Sequence, residues 1–186
     1  MQSKRLRHLI GNALMAFSLL LLAFIYYPII SLYLFPKKID SEVLTKSFYI
    51  EIPKINVASQ IIQNVNPFNE TEYRKSLKKG IAHAINTSLP GEKGTTFLFA
   101  HSSDSPWGIT RYNVEFFRLP ELKKGDTITI HRNKKIYRYK VADKKTVWPN
   151  EVNYLLDTKK DQLILQTCVP IGTSLKRLLV FAVPIK

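Results

Sequence analysis

The sequence predicts an all-β domain, a barrel or sandwich of short strands, carried behind one apolar N-terminal helix. Three observations predict it. Residues 48–186 read as short apolar or alternating runs separated by turn signals, with few helical periodicities. Residues 9–35 contain no charged side chain, a span longer than the roughly 20 residues that a bilayer-crossing helix requires. The length of 186 residues suits one folded domain with an appendage. The chain thus divides into a basic N-terminus over residues 1–8, a transmembrane stretch over 9–35, a linker over 36–47 and the β domain over 48–186.

Lys4, Arg5 and Arg7 precede the apolar stretch with no acid among them. Tyr26, Tyr27 and Tyr33 cluster toward its far end, where an interfacial aromatic belt would place them. The apolar core is too long for a cleavable signal peptide, and no small-x-small site follows it. The expectation is an uncleaved signal anchor in the cell membrane that crosses once. Its N-terminus is expected to be cytoplasmic and the chain from about residue 37 outside the cell, by the positive-inside rule.

Within the β domain the elements follow in order. Phe48 to Ile55 is a first strand closed by Pro53, and Val57 to Val65 is a second apolar run. Glu72 to Lys79 reads as a short helix or turn ended by Gly80. Leu89-Pro-Gly-Glu-Lys-Gly94 is a turn feeding the strand Thr95 to His101, and a long polar loop covers 102–111. Thr127 to His131 and Ile136 to Val141 form a hairpin turning at Arg132 to Lys135. A helical turn is expected near Asn150 to Leu156. Two apolar strands then flank a turn rich in Pro and Gly, Leu163 to Leu165 and Leu178 to Val183.

The formal charge is +14; beyond residue 36 there are still 25 basic and 14 acidic side chains. Such basicity suits an anionic cell envelope, and an external domain makes nucleic acid the poorer partner. One cysteine rules out an internal disulfide framework and a Cys-rich metal site.

That cysteine, Cys168, stands at the exit of one C-terminal strand, and Arg177 stands where the next begins. On the residues alone, Cys168 reads equally well as a small buried hydrophobe and as a nucleophile. A nucleophilic thiol needs a nearby base or cation. Of the four histidines, His8 lies on the cytoplasmic side, His131 falls in a hairpin beside Arg132 and reads as solvated, and His83 reads as structural. His101 ends an apolar strand at the start of a long loop, a position suited to a general acid/base. Together His, Cys and Arg suggest acyl transfer through a thioester. The order, His before Cys, disfavours a papain-like site.

The run Leu165-Gln-Thr-Cys-Val-Pro-Ile-Gly172, followed by Arg177-Leu-Leu-Val, resembles the sortase family, whose pattern is Leu-x-Thr-Cys-x-Pro-x-Gly and then an Arg opening an apolar strand. The spacing is most similar to classes C and D. Collinear pieces are Ile52-Pro-Lys-Ile55, Leu89-Pro-Gly-Glu-Lys-Gly94, Leu122-Lys-Lys-Gly-Asp126 and the Tyr137, Tyr139, Val141 strand, so the resemblance covers about residues 48–185. It implies a closed eight-stranded β-barrel with one or two short helices. It also implies that Cys168 is the nucleophile, His101 the general acid/base, Arg177 the oxyanion or substrate-orienting group, and Thr167 a substrate-binding residue. The implied activity is that of a membrane-anchored cysteine transpeptidase. It would cleave a Leu-Pro-x-Thr-Gly-type sorting signal on substrate proteins, without a cofactor. The acyl group would pass to an amine on a cell-wall precursor or pilin subunit.

The chain departs from the family at Ala100, where Gly is usual, at Ser102, where Arg or Thr is usual, and in a longer 102–111 loop. Ser105-Pro106-Trp107 follows the histidine and is not read as an N-terminal lid. Asp104, Glu115 and Glu151 are the acids nearest that loop; they are read as surface groups, and no metal is expected. Two other readings stand beside transpeptidation: a thiol hydrolase using the same site, and a non-catalytic module that grips the envelope.

Overall fold

A computed structural model describes residues 2–34, 48–102, 115–156 and 159–185. The expected linker, and the loop residues Asp104 and Trp107, lie outside the described residues. The chain forms two units, divided after Phe35.

The first unit is helix α1, Gln2–Leu34. It starts before the apolar stretch, so Lys4, Arg5 and Arg7 lie on its first turns. From Lys4 to Tyr27 the mean hydropathy is 2.1 and no side chain is buried, so the helix is long and apolar enough to cross a membrane.

The second unit is a closed barrel. Its strands are β1 (Tyr49–Ile52), β2 (Val57–Val65), β3 (Ile81–Ala84), β4 (Thr95–Phe99), β5 (Thr127–Arg132), β6 (Lys135–Val147), β7 (Gln162–Val169) and β8 (Lys176–Pro184). Around the barrel they run β1-β2-β3-β4-β7-β8-β6-β5, with β5 closing onto β1. All neighbours are antiparallel except β2–β3 and β4–β7. Helix α2 (Glu70–Leu77) bridges β2 to β3, and the four-residue α3 (Asn153–Leu156) lies between β6 and β7. Closure leaves no open sheet edge, and the expected eight-stranded barrel is the observed fold.

Local chemistry explains the elements. Pro53 ends β1 because it cannot donate to a ladder, and a single 3-10 turn, Pro53–Ile55, follows. Asn56 then takes the left-handed conformation that carries the chain into β2. Asn69 caps α2, its side chain accepting from the Glu72 N–H, while Glu72 Oε1 accepts from the Asn66 N–H. The hairpin between β5 and β6 turns through Asn133 and Lys134, both at positive φ, the two-residue geometry that matches strand twist.

Several strand bounds differ from the sequence reading: β4 ends at Phe99, two residues before His101, and β7 runs on to Val169. β3 has only four residues, all buried, too short for any period to register. It is admitted beside β2 by Gly80, where a Cβ would stand 2.3 Å from the Gln60 carbonyl oxygen. β6 runs six residues past Val141, because a register shift between Val141 and Asp143 re-phases its pairing with β8. His131 is not solvated: its Nε2 lies 3.1 Å from Glu51 Oε2 on the neighbouring β1, and its side chain is mostly covered.

The core holds Ile50 and Ile52 of β1, Phe97 of β4, Ile128 and Ile130 of β5, and Leu163 to Leu165 of β7, all essentially inaccessible. The central β4, β7 and β8 bury side chains on both faces, which is why they read as unbroken apolar runs.

Candidate active site

The last residues of β7 and the first of β8 meet at one end of the barrel. Their antiparallel register sets Cys168 directly opposite Arg177 and Thr167 opposite Leu178. Directly opposed residues project to the same face with Cβ atoms about 5 Å apart. Thiol and guanidinium therefore share a face.

On the other side of β7 lies β4, parallel to it. Phe99 pairs with Gln166, and the Ala100 N–H continues the ladder to the Gln166 carbonyl at 3.1 Å. The same step carried on brings His101 alongside Cys168. His101, two residues past the end of β4, accordingly stands beside Cys168 of β7 and Arg177 of β8, and all three line one groove of about 680 Å³. One wall is apolar, formed by Phe68 and Tyr73 near α2 with Phe97 and Phe99 of β4. The opposite wall is Trp148, Tyr154 and Leu155 of the segment between β6 and β7.

Each group has a defined environment. Cys168 is partly buried, and burial pushes its thiol pKa up, an effect that the Arg177 charge opposes only in part. At neutral pH both effects together favour the thiol over the thiolate. Arg177 is held by its own turn, Nη1 donating to the Ser174 carbonyl at 2.9 Å. The guanidinium is thereby fixed beside the sulfur without neutralisation by a carboxylate in these contacts.

Thr167 is 1% exposed, and its hydroxyl donates to the Ala100 carbonyl oxygen at 3.1 Å. The residue before the cysteine is thus fastened to the residue before the histidine. That geometry commits the hydroxyl hydrogen to the scaffold and leaves the oxygen's acceptor sites for the substrate contact that the resemblance implies for Thr167. Ser102, next to His101, is buried, and its hydroxyl has no partner among the described residues. Of the acids weighed near the loop, Glu115 Oε1 accepts from Ser59 Oγ at 2.9 Å and Glu151 Oε1 from the Trp148 N–H at 2.9 Å.

The aromatic walls were not read from the sequence. Tyr73 stacks edge-on against Phe99, and Tyr154 against Phe181 of β8, so each is placed by a crossing of elements distant in the chain. Lys176 lies over the Trp148 ring at 4.7 Å, fixing that wall beside Arg177. The local signals are two aromatics beside a Pro just past a strand end, Pro67-Phe68 and Trp148-Pro149.

Chemically, this is a thiol with a histidine on one flank and a guanidinium on the other, in a groove lined by both aromatic and polar side chains. Comparison with known proteins gives the same direction. The family model described as the Sortase domain matches residues 50–185. Sortase A of Bacillus anthracis is 29% identical over 147 residues, which is 77% of this chain and 67% of that protein. Among solved structures, sortase C of Clostridium perfringens is 33% identical with a TM-score of 0.59, covering 76% of this chain and 72% of that one. The pilus-related sortase C of Group B Streptococcus is 31% identical with a TM-score of 0.63, covering 77% and 69%.

Proposed function

The chain belongs to the sortase family, whose members are cysteine transpeptidases, and from that premise we propose a specific course for its reaction. The substrate is a protein carrying a Leu-Pro-x-Thr-Gly-type sorting signal, whose apolar residues lie in the groove between the Phe68 and Trp148 walls. His101 takes the proton of Cys168, and the sulfur attacks the carbonyl carbon of the scissile peptide bond. Arg177 stabilises the negative charge that develops on the carbonyl oxygen. The C–N bond then breaks, the leaving amine receives the proton from His101, and the acyl group remains on sulfur as a thioester. An incoming amine attacks that thioester, loses its proton to His101, and releases Cys168, which regains a proton as the thiol.

The observation that supports this reading is that His101, just past the end of β4, Cys168 on β7 and Arg177 on β8 line one groove. Thr167 acts as a positioning residue through Ala100. The acceptor is an amine of a cell-wall precursor or of a pilin subunit, and the helix Gln2–Leu34 anchors the enzyme with the barrel outside the cell. No cofactor enters these steps. The test is product analysis with a sorting-signal peptide. In the presence of an amine nucleophile the ligated product forms at the expense of free acid. Free acid alone, whatever the amine, would assign a hydrolase to the same site.

A further inference from the structure

We propose that the β5–β6 hairpin and the strand face beside it dock on an anionic lipid surface. Strand direction locates this region. β1, β6 and β7 all run toward the end of the barrel that holds Cys168, since β1 and β6 both oppose β5, and β6 and β7 both oppose β8. The start of β1, the β5–β6 turn and the end of β8 therefore lie at the other end.

The outer face there is defined by register. On β6, Tyr139 and Val141 point inward and are buried, so Arg138 and Lys140 point out. Lys140 is flanked by Thr127 of β5 and Val183 of β8, and the Ile185 N–H bonds the Arg138 carbonyl at 2.8 Å. Ile136, Val183 and Ile185 are 52%, 46% and 42% exposed, standing among Arg138, Lys140 and the hairpin cations Lys134 and Lys135. Among the described residues none of these four cations has an ion pair, while the nearby acids have other partners, Glu51 with His131, Glu92 with Arg132, and Asp126 accepting from the Lys123 N–H.

A soluble polyanion would use the cations and gain nothing from three exposed aliphatic side chains. A bilayer interface uses both, phosphates meeting the cations while aliphatics enter the headgroup boundary. Chain length agrees. Thirteen residues separate the end of α1 from Phe48, a reach of at most about 45 Å. This inference rests on α1 being the membrane anchor.

The test uses the full chain in vesicles. Thr127→Cys in a Cys168→Ala background carries a fluorophore beside Lys140, and headgroup-labelled lipid quenches it on approach. With phosphatidylglycerol present, quenching is strong, and it falls with added salt. With phosphatidylcholine alone it is weak. Arg138→Gln with Lys140→Gln lowers the docking constant by roughly fivefold per cation removed. The same two changes in a chain that keeps Cys168 leave peptide cleavage in solution unchanged, which establishes that the fold survives. Quenching that ignores lipid charge, or that the paired variant does not reduce, overturns the docking. So does a response to soluble polyglycerol phosphate without one to vesicles, which assigns the face to a polymer. Flotation separates the two readings: a chain that floats with vesicles yet is not quenched overturns docking alone, and one that does not float overturns the anchor as well.

Discussion

Cys168 and Arg177 are register partners on β7 and β8, and the guanidinium is pinned in place by the Ser174 carbonyl at 2.9 Å. The arrangement sets a fixed positive charge beside a thiol whose pKa burial has raised. Arg177→Ala therefore has two consequences. Removing the cation raises the Cys168 pKa further, so the pH profile of alkylation by iodoacetamide moves to higher pH. Turnover of a sorting-signal peptide falls by about 100- to 1,000-fold, the effect of losing one preorganised oxyanion partner. An unmoved alkylation profile would contradict the electrostatic role.

The bond from Thr167 to Ala100 makes a separate prediction. Thr167→Val keeps the shape and deletes the bond, leaving a buried carbonyl unsatisfied. The cost to stability is about 1–3 kcal/mol. The larger loss is expected in kcat, with KM little changed, because the hydroxyl aligns the histidine strand instead of holding substrate. Thr167→Ser, which restores the donor, recovers most of kcat. A rise in KM with kcat intact would return Thr167 to the substrate.

Cys168, Arg177 and His101 were each marked in the sequence by their place at the end of an apolar strand. The β5–β6 hairpin was marked by its alternation, and β2 by its Val and Ile residues, Val57, Ile61, Ile62 and Val65. Long-range placement left no local trace. Parallel pairing of β4 with β7 joins positions 67 apart, so the target of the Thr167 hydroxyl depends on topology alone. β3 is too short to show a period, and the groove walls come from α2 and from the β6–β7 segment, which meet only across the barrel.

His83 of β3 makes stability depend on pH. Its Nδ1 accepts from the Asn64 N–H at 3.4 Å, and its Nε2 lies 3.2 Å from the Ser88 carbonyl, the pattern of a neutral ring. Burial holds its pKa below the ordinary histidine value of 6.5. The unfolded chain therefore binds the proton more readily. The His83 contribution is fully present above 6.5 and is lost as pH falls through the lower folded value. Thermal melts should show stability declining over this acidic window, and His83→Gln should be less stable at neutral pH with a flatter profile. An identical pH slope in both proteins would remove His83 from the account.

Gly80 tests the close approach of β2 and β3. A Cβ there would stand 2.3 Å from the Gln60 carbonyl oxygen, so Gly80→Ala forces backbone to move. The expected loss is about 2–4 kcal/mol, at the upper end of what a point substitution costs, read from denaturant midpoints. A loss below about 0.5 kcal/mol, the level of a neutral surface change, would mean that the two strands separate freely.

The account rests centrally on Cys168 becoming acylated. Mass spectrometry of the intact protein, quenched in acid during turnover of a sorting-signal peptide, measures this directly. The account predicts a species heavier by the acyl fragment, mapped to Cys168, lost on addition of hydroxylamine and absent from Cys168→Ala. Cleavage of the peptide with no adduct at Cys168, or cleavage that persists in Cys168→Ala, would contradict it.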